Sequence, residues 1–235
     1  MIKGNFVTAF IAAAGMGNRM KAPINKQFLT IEGVPVLAHT IKKIESSKYI
    51  DFILLIIKNS DLNYLSEIIS EYKINKDYKI VYGGKERQDS IYNGLINMPL
   101  NTDIVLTHDG ARPFVSVNKI DLAIEKVFET GACALANPVK DTIKVSYDGS
   151  TVEYTPNRNS LWQVQTPQVF KVDVLKNAYE QAYREGYYGT DDCSLVEKTG
   201  KKVKLIRNSY DNIKITTRED LFFAKAIIRK GDLWE

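Results

Sequence analysis

Phe6-Val7-Thr8-Ala9-Phe10-Ile11-Ala12-Ala13-Ala14-Gly15-Met16-Gly17-Asn18-Arg19-Met20 opens as an apolar run broken only by Thr8 and closes in a turn of small residues. A run with no polar alternation reads as a strand covered on both sides, as in a parallel sheet flanked by helices. Similar short runs recur at 52–57, 79–82, 104–108, 132–137 and 203–206, and longer stretches of helical period separate them. Residues 118–130 place Ile120, Ala123, Ile124, Val127 and Phe128 on one helical face and stop at Gly131. A last helix is expected from Thr217 as N-cap, with Leu221, Phe222, Ala224 and Ile228 at helical spacing. Alternating strands and helices predict an α/β fold built on a mostly parallel sheet with helices on both faces.

One stretch departs from this alternation. Residues 142–155 have period two, with Ile143, Val145 and Tyr147 before Asp148-Gly149 and Val152 and Tyr154 after it, the pattern of a β-hairpin. An isolated two-stranded arm is marginal in water, so an arm at about 139–158 needs support from its own domain or from a second subunit. No repeat, low-complexity stretch or Gly/Ser-rich linker divides the chain, and 235 residues suit one domain spanning 1–235.

Composition excludes several classes. Hydrophobic residues at 44% and charged residues at 26% are ordinary for a globular protein. A formal charge of +4, with Lys and Arg scattered among the acids, leaves no nucleic-acid footprint. Neither a signal-peptide pattern nor an apolar stretch of membrane-spanning length is present. Cys133 and Cys193 show no metal or redox spacing, and a cytoplasmic setting is expected.

The turn after the first run carries the chemistry. Small residues let backbone N–H groups approach an anion closely, so this is a candidate phosphate or nucleotide loop. Met20 stands where a dinucleotide fingerprint has its third glycine, and no Gly-Lys-Ser/Thr follows as a Walker loop requires. Arg19 in the loop and Lys26 shortly after it add the fixed cations that polyphosphate transfer needs, because charge accumulates on phosphate oxygens in the transition state.

Further segments follow in order: Gly83-Gly84-Lys85-Glu86-Arg87-Gln88-Asp89-Ser90, His108-Asp109-Gly110-Ala111-Arg112-Pro113 and Pro138-Val139-Lys140-Asp141-Thr142-Ile143-Lys144. Then come Arg158 with Leu161-Trp162, Gln165-Thr166-Pro167-Gln168, Thr190-Asp191-Asp192 and Asn212-Ile213-Lys214-Ile215-Thr216. With these the chain, over about residues 6–220, resembles the 2-C-methyl-D-erythritol 4-phosphate cytidylyltransferases of the non-mevalonate isoprenoid pathway.

The resemblance implies a Rossmann-like sheet and transfer of CMP from CTP to 2-C-methyl-D-erythritol 4-phosphate, releasing pyrophosphate. It implies that Ala13, Ala14, Gly15 and Gly17 meet the CTP phosphates and ribose, and Gly83, Arg87 and Ser90 the cytosine. Asp109 would take an acceptor hydroxyl or stand near Mg²⁺, itself bound mainly through the CTP phosphates. Arg112, Thr142 and Thr166 would hold the acceptor, with Arg158 orienting its phosphate. Arg19, Lys26 and Lys214 would neutralise phosphate oxygens during in-line attack. The arm implies a homodimer, with Arg158 serving either its own or the partner's site. His108 and His39 are read as structural, because an anionic phosphate nucleophile needs no general base. The nearest alternative is a ribitol 5-phosphate cytidylyltransferase. It is disfavoured by Gln88-Asp89-Ser90 after Arg87, by Ala111 before Arg112-Pro113, and by Lys144 after Thr142-Ile143. A nicotinamide oxidoreductase or a non-catalytic nucleotide-binding module explains fewer of these residues together.

Overall fold

The computed structural model describes residues 1–15 and 25–234. Strand β1 (Phe6–Ala12) is followed by the short pair β2 (Thr30–Ile31) and β3 (Val34–Pro35), helix α1 (Val36–Glu45), β4 (Phe52–Ile57) and α2 (Leu62–Tyr72). Next come β5 (Tyr78–Tyr82), α3 (Arg87–Asn97), β6 (Thr102–Asp109), α4 (Val117–Thr130) and β7 (Ala132–Pro138). The chain ends with β8 (Trp162–Lys171), α5 (Val172–Arg184), α6 (Asp192–Lys198), β9 (Lys204–Arg207) and α7 (Arg218–Trp234).

Seven of these strands form one sheet in the order β5-β4-β1-β6-β8-β7-β9. All neighbours run parallel except around β8, which is antiparallel to both β6 and β7. Because strand side chains alternate, each unbroken apolar run feeds two cores. Val7, Ala9 and Ile11 of β1 and Ile53, Leu55 and Ile57 of β4 pack under α1, α2 and α4, against Ile41, Ile44, Leu65, Ile120 and Val127. Phe10, Leu54 and Ile56 point the other way, to Ile91 and Leu95 of α3 and Leu175, Ala178 and Tyr179 of α5. An α/β, Rossmann-like sheet with helices on both faces is therefore present as expected.

Local signals behave as their chemistry requires. Helix α4 closes at Gly131, whose φ of 79° suits a left-handed cap and whose N–H reaches the Val127 carbonyl at 2.7 Å. Thr217 immediately precedes α7, but the acceptor at that end is the Asp220 carboxylate, bonded by the N–H groups of Thr216 and Thr217 at 2.7 and 2.8 Å. Leu221, Ala224 and Ile228 pack on a satellite core with Ile31, Val36 and Ile215, whereas Phe222, expected on the same face, is 73% exposed.

Strand β8 has no counterpart in the expected strands, for a physical reason. Its first half mixes Trp162 and Val164 with two glutamines and is largely exposed, Pro167 interrupts it, and only Val169 and Phe170 read as apolar core. Against β7 its register shifts, with Ala134 opposite Gln168 and Ala136 opposite Val164, so residues 165–167 bulge. That bulge carries Thr166 to the end of β6.

Residues 139–161 leave the sheet between β7 and β8. In place of two full strands they make a single antiparallel bridge, Val145 to Tyr154, with hydrogen bonds of 2.9 and 2.8 Å. The turn at its tip is held by the Asp148 carboxylate, which accepts from the N–H groups of Ser150 and Thr151. Tyr147, Val152 and Tyr154 remain exposed along it.

Candidate active site

Sheet order places the site. After β1 the chain builds β4 and β5 on one side and then crosses to β6 on the other, so the C-terminal ends of β1 and β6 flank a topological switch point. Backbone hydrogen bonds extend the ladder past the strand ends: Ala13 N–H to Ile56 O at 2.7 Å, Gly83 N–H to Ile57 O at 2.8 Å and Gly110 N–H to Ala12 O at 2.9 Å. These bonds draw the loops into the walls of a cleft of about 630 Å³. Its lining includes Ala13, Ala14, Gly15, Lys26, Arg87, Ser90, Asp109 and Lys214.

Glycine at 83 is a steric requirement. A Cβ there would stand 2.3 Å from Ala14 Cβ and 2.8 Å from Ser90 Oγ, so the two walls touch at this point. Ser90 Oγ in turn accepts from Gly84 N–H at 3.1 Å and donates to Glu86 O at 3.0 Å, fixing the loop before α3. A second hollow, about 450 Å³, lies between α3 and α5 beside Asp89 and Glu180. Its carboxylates give it the wrong sign for a polyphosphate. The first cleft is lined by Lys26, Lys58, Lys85, Arg87 and Lys214 against Glu86 and Asp109.

Asp109, at the last position of β6, is the electrostatic centre. Lys214 Nζ lies 2.8 Å from its Oδ2, Arg112 Nε 3.4 Å from Oδ2 and Arg87 Nε 3.5 Å from Oδ1. Burial alone pushes this carboxyl up, but Arg87, Lys214 and Arg112 outweigh it and hold the group far below the usual carboxylate range. Arg112 is anchored by Nη1 donating to Asn212 O at 2.9 Å, and Asn212 Nδ2 donates to Thr166 O at 3.0 Å.

Thr166 is buried and does not line the cleft. Its hydroxyl accepts from Asp109 N–H at 3.0 Å and lies 3.1 Å from His108 Nδ1. His108 is fully buried; its Nε2 pairs with Arg112 O at 3.0 Å, and desolvation lowers its pKa to about 4 despite that bond. A neutral, enclosed imidazole braces the Asp109 to Arg112 turn, consistent with a structural reading. His39 is half-buried with its pKa lowered by desolvation, its Nε2 facing Ile31 O at 3.4 Å.

Of the residues expected in the site, Ala13, Ala14, Gly15, Lys26, Arg87, Ser90, Asp109 and Lys214 converge on one cleft. Gly83 and Arg112 stand directly behind its wall. Thr142 and Arg158 are exposed on the 139–161 excursion, where Arg158 donates to Lys140 O at 2.9 Å, and neither lines the cleft. Gly17 and Arg19 lie outside the described residues. Sequence reasoning assigned no role to Gln27, whose Nε2 holds Ala13 O at 2.6 Å, nor to Lys58 and Lys85 on the cleft lining. Asp192, which has no role legible in the sequence, grips Arg87 with two hydrogen bonds. Nothing local marks such residues, because their partners are distant in sequence.

A doubly covered α/β sheet with a cationic, glycine-walled cleft at its switch point is the architecture of a nucleotide-binding protein. The model of the 2-C-methyl-D-erythritol 4-phosphate cytidylyltransferase family matches residues 7–230, and the chain belongs to that family. The enzyme of that name from Clostridioides difficile (strain 630) is 49% identical over 222 residues, covering 94% of this chain and 93% of the relative. Another, from Bacillus velezensis, is 46% identical over 93% of this chain and 94% of its own length. The crystal structure of a 4-diphosphocytidyl-2C-methyl-D-erythritol synthase from Anaerococcus prevotii superposes with a TM-score of 0.86 at 35% identity, over 97% of this chain and 98% of that one. The corresponding cytidylyltransferase of Thermus thermophilus gives 0.77 at 29% identity, over 95% and 99%. The ribitol phosphate alternative is not favoured by these relationships.

Proposed function

We propose that the chain transfers CMP from CTP to 2-C-methyl-D-erythritol 4-phosphate, giving 4-diphosphocytidyl-2-C-methyl-D-erythritol and pyrophosphate, through one domain spanning 1–235. The observation that carries this reading is Asp109 at a strand end, ringed by Arg87, Arg112 and Lys214 within 3.5 Å, inside a glycine-walled cleft. In this reading Ala13, Ala14, Gly15 and Gly17 offer backbone to the CTP phosphates and ribose. Gly83, Arg87 and Ser90 meet the cytosine, where tight packing of short groups leaves no room for a purine. Lys26, Lys214 and Arg19 neutralise the oxygens around the α-phosphorus as the acceptor phosphate attacks in line.

Asp109 and Arg112 orient the acceptor. Thr166 contributes by holding the Asp109 backbone. Thr142 and Arg158 project from the arm, which favours a homodimer in which the arm at about 139–158 of one copy reaches the cleft of the other. The exposed Tyr147, Val152 and Tyr154 then gain a cover.

Among the described residues no cluster of three or more His, Cys, Asp or Glu side chains forms a protein cage for a metal. That suits Mg²⁺, which prefers one or two carboxylates together with substrate phosphates. Asp109 is the residue to hold it: among the described residues Oδ1 carries only the long 3.5 Å contact to Arg87 and keeps acceptor capacity. Bound there with CTP, Mg²⁺ supplies charge neutralisation of the phosphate oxygens. A cytoplasmic location fits two buried free thiols and the absence, among the described residues, of a helix long and apolar enough to cross a membrane.

Pyrophosphate release from CTP and Mg²⁺, measured with 2-C-methyl-D-erythritol 4-phosphate and separately with D-ribitol 5-phosphate, tests the reading. Release with the first only, abolished by Lys26→Ala, is expected. Release with ribitol phosphate only would reassign the acceptor, and silence with both would refute the transferase reading of the cleft.

A further inference from the structure

We propose that Asp192 is a positioning residue for the transfer, acting through Arg87; this rests on the reading of the cleft above. Asp192 is the first residue of α6 and is 1% exposed. Its Oδ1 accepts from Arg87 Nη1 at 3.0 Å and Tyr179 OH at 2.7 Å, and its Oδ2 from Arg87 Nη2 at 2.9 Å and Thr107 Oγ1 at 2.7 Å. Those donors come from three elements, α3, α5 and β6, so the carboxylate has neither a free acceptor direction nor room to turn.

Geometry then passes to the arginine. Two parallel bonds to one carboxylate fix the guanidinium plane as well as its position. The Nε edge that remains points to Asp109 Oδ1 at 3.5 Å. Thr107 and Asp109 are two residues apart on β6 and share a face, so Arg87 spans from an anion sealed under α6 to one that lines the cleft. A buried ion pair generally contributes little stability beyond an apolar pair of the same volume. Stability is therefore a weak reason to place one here, whereas an aimed cation in a nucleotide cleft has a use. The contacts of Asp192 make it the clamp and Arg87 the group that meets the nucleotide.

Asp192→Asn keeps the size, removes the charge and presents an amide NH₂ to donors. Steady-state kinetics of the full chain with CTP and 2-C-methyl-D-erythritol 4-phosphate should show KM for CTP raised roughly ten- to a hundredfold. Turnover should change by less than about threefold, because an interaction made equally in ground and transition states acts on KM. In an Arg87→Gln background the same substitution should add less than about twofold, since its intermediary is already gone. An unchanged KM in a folded Asp192→Asn protein, or a full additional effect in the Arg87→Gln background, overturns the proposal. If thermal melting shows that Asp192→Asn does not fold, Thr107→Val removes one hydrogen bond, from an uncharged donor, to the same carboxylate. It should raise KM for CTP about two- to fivefold, again only when Arg87 is present, and no shift overturns the proposal. Wild-type protein that releases no pyrophosphate from CTP takes down the reading of the cleft itself. An active wild type with additive substitutions sinks only the role of Asp192.

Discussion

Replacing Gly83 by Ala should damage both the fold and the nucleotide cleft, and the size of the effect follows from contacts at that residue. The new Cβ would stand 2.3 Å from Ala14 Cβ, where ordinary contact begins near 3.4 Å, so the two loops must part by about 1 Å. Neither side yields easily. Ala14 follows Ala13, whose N–H is tied to Ile56 and whose carbonyl is held by Gln27, and Gly83 N–H is tied to Ile57. Overpacking of this kind costs about 1–3 kcal/mol. For a chain of this size that is a Tm decrease of roughly 2–4 °C per kcal/mol. A shift of about 1 Å between nucleotide-binding walls should lower kcat/KM for CTP by about a hundredfold. Gly15→Ala is the matched control, because a Cβ there meets nothing within 4 Å among the described residues. Its Tm should stay within about 1 °C of wild type, while KM for CTP rises because a methyl group obstructs close approach of phosphate to backbone. Differential scanning fluorimetry and pyrophosphate-release kinetics on the two variants suffice. Wild-type Tm and kcat/KM in Gly83→Ala, or equal Tm losses in both variants, would refute this account of the cleft walls.

Other outcomes follow from the charges. Asp109→Asn leaves Arg112 and Lys214 without the anion they share and Arg87 with Asp192 alone, so destabilisation of about 3–5 kcal/mol is expected, with activity falling at least a hundredfold; urea unfolding and turnover measurements check both. His108 has its pKa lowered to about 4 in the folded chain against 6.5 for the free side chain, so the unfolded state binds its proton first as pH falls. Its contribution is fully present above about pH 6.5 and is lost as pH falls towards 4, about 3 kcal/mol in all, and His108→Gln should flatten that slope in urea midpoints measured across the window. Asp109, also depressed, adds a further loss of stability below about pH 4. Lys58→Gln should raise KM for CTP about three- to tenfold and weaken its dependence on salt, since Lys58 is one of the cations lining the cleft.

The two-sided sheet was legible in the sequence because its cause is local. Residues 52–57, 104–106 and 132–136 are apolar at consecutive positions, as a strand buried on both faces requires, and Gly131 marks a stop through its own backbone freedom. The glycine loop, Lys26, Asp109 and Lys214 were legible as chemistry, by residue type and by resemblance. Tertiary structure decided what those residues do to one another. The half-polar β8 becomes a strand only because β6 and β7 flank it, and its bulge delivers Thr166 to the Asp109 backbone from 57 residues away. Arg87 and Asp192, 105 residues apart, look like a surface arginine and a helix-start acid until α3, α5 and α6 close over the same face of β6. Local patterns report which side chains must leave water. Which charge is then left facing which depends on chain crossings that no window of sequence contains.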